Sequence, residues 1–261
     1  MLITLTTDFG LQDAFVGIMK GVIASINAQA HVIDLTHGIP AQNILAGALT
    51  LRYSVAYFPP GTIHVAVVDP GVGSARLPLL IECGGSYFIG PDNGVLSLAI
   101  GDRKPTAITS LANPAYRLQS ASATFHGRDI FAPAAAYLSR GVPPAEFGEK
   151  LTTFQRLTLP KAAHEQREIT GEIIYIDHFG NLFTNIDERD LTRLADTRYE
   201  IMIGGGVRVS GIAPNYASAE PGNFVGIINS WGLLEVAAPG ASAQQRTGSK
   251  IGEQVKITIG T

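Results

Sequence analysis

Acidic, histidine and glycine residues gather at five points along the chain, each just past an apolar run. They are Thr6-Thr7-Asp8-Phe9-Gly10 with Asp13 soon after, Asp34-Leu35-Thr36-His37-Gly38, and Asp69-Pro70-Gly71-Val72-Gly73-Ser74-Ala75-Arg76. Two more are Gly90-Pro91-Asp92-Asn93-Gly94 and Thr124-Phe125-His126-Gly127-Arg128-Asp129. Carboxylates and histidines are the side chains that accept protons and hydrogen bonds, and arginine supplies fixed donors and positive charge. Singly, each segment is bland, because Asp and Gly after a strand commonly make a turn or cap a helix. Five of them at the ends of strands read as loops along one sheet edge, where open α/β sheets bind ligands.

Several familiar chemistries are excluded. Asp8-Phe9-Gly10 and His126-Gly127-Arg128-Asp129 look like kinase signatures, but in reversed order and with no Gly-rich phosphate loop before them. No G-x-G-x-x-G follows the first strand, which argues against a dinucleotide fold and a Rossmann-type methyltransferase. There is no Walker loop, Gly71-Val72-Gly73 is too short to cradle phosphate, and no His pair has metal-ligand spacing. No metal site is therefore expected.

The elements that must position these loops follow from periodicity. Leu2 to Leu5 reads as a short buried strand, and Phe15, Met19, Val22, Ile23 and Ile26 mark one face of a helix. His31 to Leu35 is a second strand. Ile44, Ala48, Leu51 and Val55 mark a second helix, stopped by Pro59-Pro60-Gly61. Ile63 to Val68 is apolar on both faces, as in the middle of a parallel sheet. Leu79 to Ile81 and Tyr87 to Ile89, joined by Gly84-Gly85-Ser86, form a hairpin. Arg128 to Leu138 reads as a helix with an irregularity at Pro133. Strands alternating with helices predict a three-layer α/β domain with a mainly parallel sheet over residues 1–160.

The texture changes after the linker-like stretch Thr152 to Arg167. Strand signals become frequent and turn-separated: Gly171 to Ile176, Leu182 to Ile186, Glu200 to Ile203, Val207 to Val209, Phe224 to Ile228, Leu233 to Val236 and Val255 to Ile259. This predicts a smaller antiparallel β-barrel domain over 168–261.

Composition narrows the partners. The chain has 261 residues, with 46% apolar and 16% charged, which suits a well-buried core. A net charge of -3 without a basic stripe argues against nucleic acid as a partner. No apolar run reaches the ~20 residues that span a bilayer, and the opening Met1-Leu2-Ile3-Thr4-Leu5 is a strand rather than a signal peptide. The expectation is a soluble, cytoplasmic protein with no membrane partner. The lone Cys83 sits in an apolar run and reads as a buried structural thiol.

In order along the chain, these segments resemble the S-adenosylmethionine (SAM) hydroxide adenosyltransferase family, relatives of the fluorinase and chlorinase enzymes. The matching pieces are Thr7-Asp8-Phe9-Gly10 with Asp13, Asp34-Leu35-Thr36-His37, Val68 to Gly73, Gly90 to Gly94 and Phe125 to Asp129. In the C-terminal part they are Asp177-His178-Phe179-Gly180-Asn181 with Thr184-Asn185-Ile186, and Asn229-Ser230-Trp231-Gly232.

The resemblance implies hydrolysis of SAM to adenosine and methionine, with no cofactor besides the substrate itself. The hydrolytic members' Asp, Arg and His triad falls on Asp69, Arg76 and His126; halogenating members lack it, so its presence favours water over halide. The chemistry is consistent. A sulfonium leaves as a neutral thioether and needs no general acid, so only the nucleophile needs help. Either Asp69 or His126 fits the role of base. For His126 the plain alternative is a cap on the following helix, and for Asp69-Pro70-Gly71 a turn. By the same resemblance Asp8 and Asp13 belong to the substrate site, with Asp8 on the ribose hydroxyls. Asp177 faces the methionine ammonium, Ser230 the carboxylate, and Phe179 and Asn181 the adenine. Trp231 stands where relatives often carry Arg or another aromatic, and it cannot pair with a carboxylate. A homotrimer with sites shared between subunits is implied as well. The rival readings are a SAM-dependent halogenase and a non-catalytic SAM or adenosine-binding protein.

Overall fold

The computed structural model describes residues 1–120, 122–194, 199–204, 206–220 and 222–259. The chain divides into two compact units, residues 1–157 and 158–261.

The first unit runs β1 (Leu2–Thr7), α1 (Phe15–Ile26), β2 (His31–Thr36), α2 (Ile44–Ser54), β3 (Ile63–Val67), β4 (Pro78–Cys83), β5 (Ser86–Pro91), α3 (Ser97–Ile100), β6 (Ala107–Ser110) and α4 (Ala132–Ser139). Its six strands lie in the order β2-β1-β3-β5-β4-β6. β2, β1, β3 and β5 pair in parallel, and β4 runs antiparallel to both its neighbours. The sheet is mainly parallel, with helices on both faces, as the alternating pattern implies. Alternate residues of the central strands explain the layers. Ile3, Leu5, Ile63 and Val65 are fully buried against Met19 and Ile23 of α1 and the alanines of α4. Each such aliphatic side chain contributes about 1.5–3 kcal/mol when fully buried. On the opposite face Thr4 bonds His64 across the β1/β3 pair (2.9 Å), and burial pushes His64 down to about 4, a neutral core histidine. Cys83 is buried and free.

Local chemistry accounts for the connections. Cys83 lies opposite Ser86, and Gly84 and Gly85 both take positive φ (61° and 78°). Positive φ at both positions is what a two-residue hairpin turn demands. Asn43 caps α2 by accepting the Ala46 amide (2.9 Å). The helical stretch after Arg128 is more irregular than its sequence suggests. Gly127–Phe131 is a π-helical turn closed by the Ala132 amide onto the Gly127 carbonyl, and Pro133 sits in the first turn of α4, where its missing N–H costs nothing. The chain passes from β1 to β2 on one side, while β3 lies on the other. The carboxyl ends of β1 and β3 therefore flank a topological switch point, where open sheets hold their ligands.

The second unit holds β7 (Ala163–His164), β8 (Glu168–Ile176), β9 (Leu182–Asp187), α5 (Glu188–Leu191), β10 (Tyr199–Ile203), β11 (Val207–Ser210), β12 (Val225–Ile228), β13 (Leu233–Ala237), α6 (Ala243–Thr247) and β14 (Gln254–Ile259). The antiparallel order is β11-β10-β14-β8-β9-β13-β12, with β7 on β8. Beyond β11, Ala213 bridges to Ile227 in β12 at the opposite end of that order, so the sheet nearly closes into a barrel. Ile169, Ile173, Leu182, Ile201, Leu234 and Ile257 fill it. Among the described residues no helix is long and apolar enough to cross a membrane.

Candidate active site

At the switch point lies a cavity of about 400 Å³. Asp8 enters it from the end of β1, Asp69 from the end of β3, and His126 from the loop before the π-helical turn. Phe9, Phe15 and Phe125 form one wall as three edge-to-face rings, with centroids 5.2 to 5.8 Å apart. Edge-to-face packing is the arrangement that the ring quadrupole favours.

Arg76 joins the two candidate bases. Its Nε donates to Asp69 Oδ1 (3.0 Å), and Nη2 pairs with Asp69 Oδ2 and donates to His126 Nδ1 at 2.6 Å. The Asp69 and Arg76 side chains are almost fully buried, at 5% and 9% exposure. Arg76 Nη1 is buried with no hydrogen-bond partner among the described residues, leaving a donor beside the cluster. Burial lowers the His126 ring below the ordinary histidine value, the Arg76 guanidinium adds to that, and Asp69 acts against it. The His126 loop is itself fixed by Asp129. That buried carboxylate takes the Ser122 amide (2.7 Å) and the Arg128 Nε (2.5 Å). Burial pushes the Asp129 carboxyl up, but those bonds outweigh it and hold the group below its usual range.

Asp8 Oδ2 accepts the Gln42 amide (2.7 Å). Gln42 lines the same cavity and carries φ of 64°, the one non-glycine residue with positive φ among those described. Such backbone strain gathers at ligand sites. Ala41-Gln42 gives no hint of this in the sequence. Asp13 is exposed and is not among the residues lining the cavity.

In the second unit a separate cavity of about 640 Å³ is lined by Asp177, Phe179, Asn181, Tyr216, Pro239 and Gly240, among others. Asp177 accepts both the Asn181 amide (2.8 Å) and its side-chain Nδ2 (3.0 Å), so the segment is a closed turn as well as a cavity wall. Phe179 is 73% exposed. Tyr216, which carries no signal in the sequence, donates its hydroxyl to the fully buried Glu235 (2.8 Å). Burial pushes both groups up. Ser230 is exposed and does not line this cavity. The Trp231 ring packs on Tyr175 and Phe183, with centroids 5.1 and 5.0 Å away.

A doubly wound sheet whose switch-point crevice is lined by Asp8, Asp69 and His126, with Arg76 bonded to the last two, has the architecture of an α/β enzyme that binds a small ligand beyond its strand ends. Family models identify it further: the SAM hydroxide adenosyltransferase N-terminal domain matches residues 3–148 and its C-terminal domain residues 171–256. The chain belongs to the SAM hydroxide adenosyltransferase family. It is 37% identical to the (R)-S-adenosyl-L-methionine hydrolase of Salinispora arenicola, across 99% of this chain and 98% of that one. The fluorinase of Nocardia brasiliensis is more distant, at 24% identity over 99% of this chain and 97% of its own. The crystal structure of an uncharacterized conserved protein from Thermotoga maritima superposes with a TM-score of 0.91 at 32% identity, covering 99% of this chain and all of that one.

Proposed function

We propose that this protein hydrolyses S-adenosyl-L-methionine to adenosine and L-methionine by attack of water on the ribose C5′. The observation that carries the reading is the Asp69–Arg76–His126 cluster, two of whose members line the same cavity as Asp8. Because an arginine only donates, Nδ1 of His126 must accept from Arg76, and the neutral ring keeps its proton on Nε2. His126 thus offers a donor to the incoming oxygen rather than a base. Asp69 keeps lone pairs beyond those Arg76 uses, so it is the group that takes the water's proton. As the O–C5′ bond forms, the C5′–S electrons return to sulfur, and neutral methionine leaves. The substrate's positive charge ends as a proton on Asp69. Asp8 holds the ribose hydroxyls, while Asp177, Phe179 and Asn181 receive the amino-acid and adenine ends.

A sulfonium carries its own activation, so no metal or redox cofactor is required, and full activity after exhaustive chelation is the expected result. The test of the whole reading is incubation with SAM in oxygen-18 water. Adenosine labelled at its 5′-hydroxyl, plus unlabelled methionine, is the expected outcome; S-adenosylhomocysteine or unchanged ligand would refute it. Repeating the incubation with added fluoride or chloride tests the halogenase alternative, which requires a 5′-halo-5′-deoxyadenosine product.

Family resemblance supports a homotrimer in which one subunit's N-terminal unit works with another's C-terminal unit. Mixing inactive His126→Ala and Asp177→Ala subunits under exchange regains activity if sites are shared. Activity that stays at background after confirmed exchange assigns each site to one chain.

A further inference from the structure

Asp34-Leu35-Thr36-His37 takes no part in that chemistry, yet His37 is buried (5% exposed) directly behind the substrate-facing loop of β1. Its Nε2 lies 3.0 Å from Asp34 Oδ1, and the other Asp34 oxygen takes the Lys20 ammonium at 2.5 Å. On the other side of the ring, Nδ1 and Thr7 Oγ1 stand 2.8 Å apart and share a hydrogen bond. The same Thr7 oxygen accepts the Phe9 amide (3.2 Å). A buried line of contacts therefore runs from the Phe9 amide through the Thr7 hydroxyl and the His37 ring to the Asp34 carboxylate.

His37 holds the loop a second time through its backbone. The Gly10 amide donates to the His37 carbonyl (2.9 Å), and Gly10 itself has φ of 67°. Glycine takes that left-handed conformation at no steric cost, which lets the chain turn there. Asp8 sits between these anchors, with Thr7 before it and Phe9 and Gly10 after it. Its own carboxylate is aimed by the Gln42 amide, which belongs to the segment that follows His37. A carboxylate that must accept two ribose hydroxyls at once works only if held in place, since small misplacements are costly at binding and reacting centres.

We propose that His37 is a positioning residue for substrate binding, locking the Thr7-to-Gly10 loop so that the Asp8 carboxylate meets the ribose hydroxyls. The inference rests on the reading that Asp8 contacts the ribose. Thr7→Val removes the hydroxyl at nearly constant shape, while Thr7→Ser keeps it. Thr7→Val and His37→Ala should each raise the KM for SAM roughly tenfold, about the effect of one or two buried hydrogen bonds, with kcat little changed. Thr7→Ser should stay near wild type. His37→Asn should recover most of the loss, because its amide group can stand in for Nδ1 toward the Thr7 hydroxyl.

A double-mutant cycle with Asp8→Ala separates positioning from general weakening. If His37 acts through Asp8, Thr7→Val adds nothing further to KM in the Asp8→Ala background. Equal, additive effects in both backgrounds, or wild-type KM in Thr7→Val, would overturn the proposal. Should Thr7→Val fail to fold, Asp34→Ala serves instead: its side chain is 36% exposed, so the core stays closed. It must raise KM in the same direction, and an unchanged KM overturns the proposal. If Asp8→Ala alone leaves KM unchanged, the ribose assignment fails instead, a separate outcome.

Discussion

The guanidinium of Arg76 faces His126 through Nη2 and Nδ1, 2.6 Å apart, so a cation and a ring nitrogen share one hydrogen bond. Protonating that ring would set two donors and two positive charges against each other. Burial first, and Arg76 next, accordingly hold the ring below the ordinary histidine value of 6.5. The folded state therefore binds fewer protons at His126 than the unfolded chain, so stability falls as pH drops below about 6.5 and levels off once the folded ring is protonated too. Hydrolysis should be flat from neutral pH upward and fall in acid, with a midpoint below 6.5. A midpoint above about 7 in kcat/KM that His126→Gln removes would contradict the donor role given to His126.

The same contact makes arginine irreplaceable by charge alone. One planar fork reaches Asp69 through two nitrogens and His126 through one of them. A lysine ammonium is a point charge on a flexible stem and cannot hold both partners in one plane. Arg76→Lys should therefore lose most of the activity that Arg76→Ala loses. Asp69→Asn should fall by roughly 10²–10⁴-fold in kcat, the usual loss for a positioned proton acceptor. Steady-state kinetics and ligand binding measured on the same preparations decide it: affinity for SAM should change far less than turnover.

Gly127 follows His126 and opens the π-helical turn. A Cβ built there would stand 3.1 Å from a Phe125 ring carbon, 3.2 Å from the Met19 sulfur and 3.4 Å from a Phe9 ring carbon. Both of those rings belong to the cavity wall. Gly127→Ala should then push the aromatic wall or the His126 backbone by a few tenths of an ångström and reduce kcat/KM, with a smaller effect on melting temperature. Wild-type kinetics in this variant would show that the wall has slack.

Much of this arrangement is legible in the sequence. The parallel strands from Leu2 to Val67 fall where apolar runs place them, most plainly at the central strand Ile63–Val67, which is buried on both faces and so reads as a nearly continuous apolar stretch. The seven C-terminal strand signals all become strands. Short edge elements escape: Ala107–Ser110 and the four-residue helix Ser97–Ile100 carry too few residues for a period to emerge. The helix face read from Phe15 onward is only partly right, since Val16, Met19 and Ile23 are buried while Phe15 is 44% exposed and serves the cavity wall. Spacing cannot reveal contacts made by the fold. Arg76 and His126 are fifty residues apart, Thr7 and His37 thirty. The strained amide of Gln42 and the Tyr216–Glu235 pair have no sequence signature at all.

At Phe179, binding and folding should part company. A phenylalanine 73% exposed contributes little to the barrel core, yet it stands at the wall of the second cavity beside Asn181. Its apolar surface stays in water until something covers it. If an adenine ring stacks there, most of the side chain is buried on binding, and full burial of such a side chain is worth about 1.5–3 kcal/mol. Part of that is lost to ordering the ring, so a loss of about 1–2 kcal/mol, or roughly 5- to 30-fold in affinity, is expected for Phe179→Ala. Its melting temperature without ligand should match the wild type, because no core contact is removed. Calorimetric titration with adenosine isolates the effect, since that ligand lacks the amino-acid end. An unchanged Kd for adenosine would remove Phe179 from the adenine site. A fallen melting temperature with unchanged Kd would make it a structural residue despite its exposure.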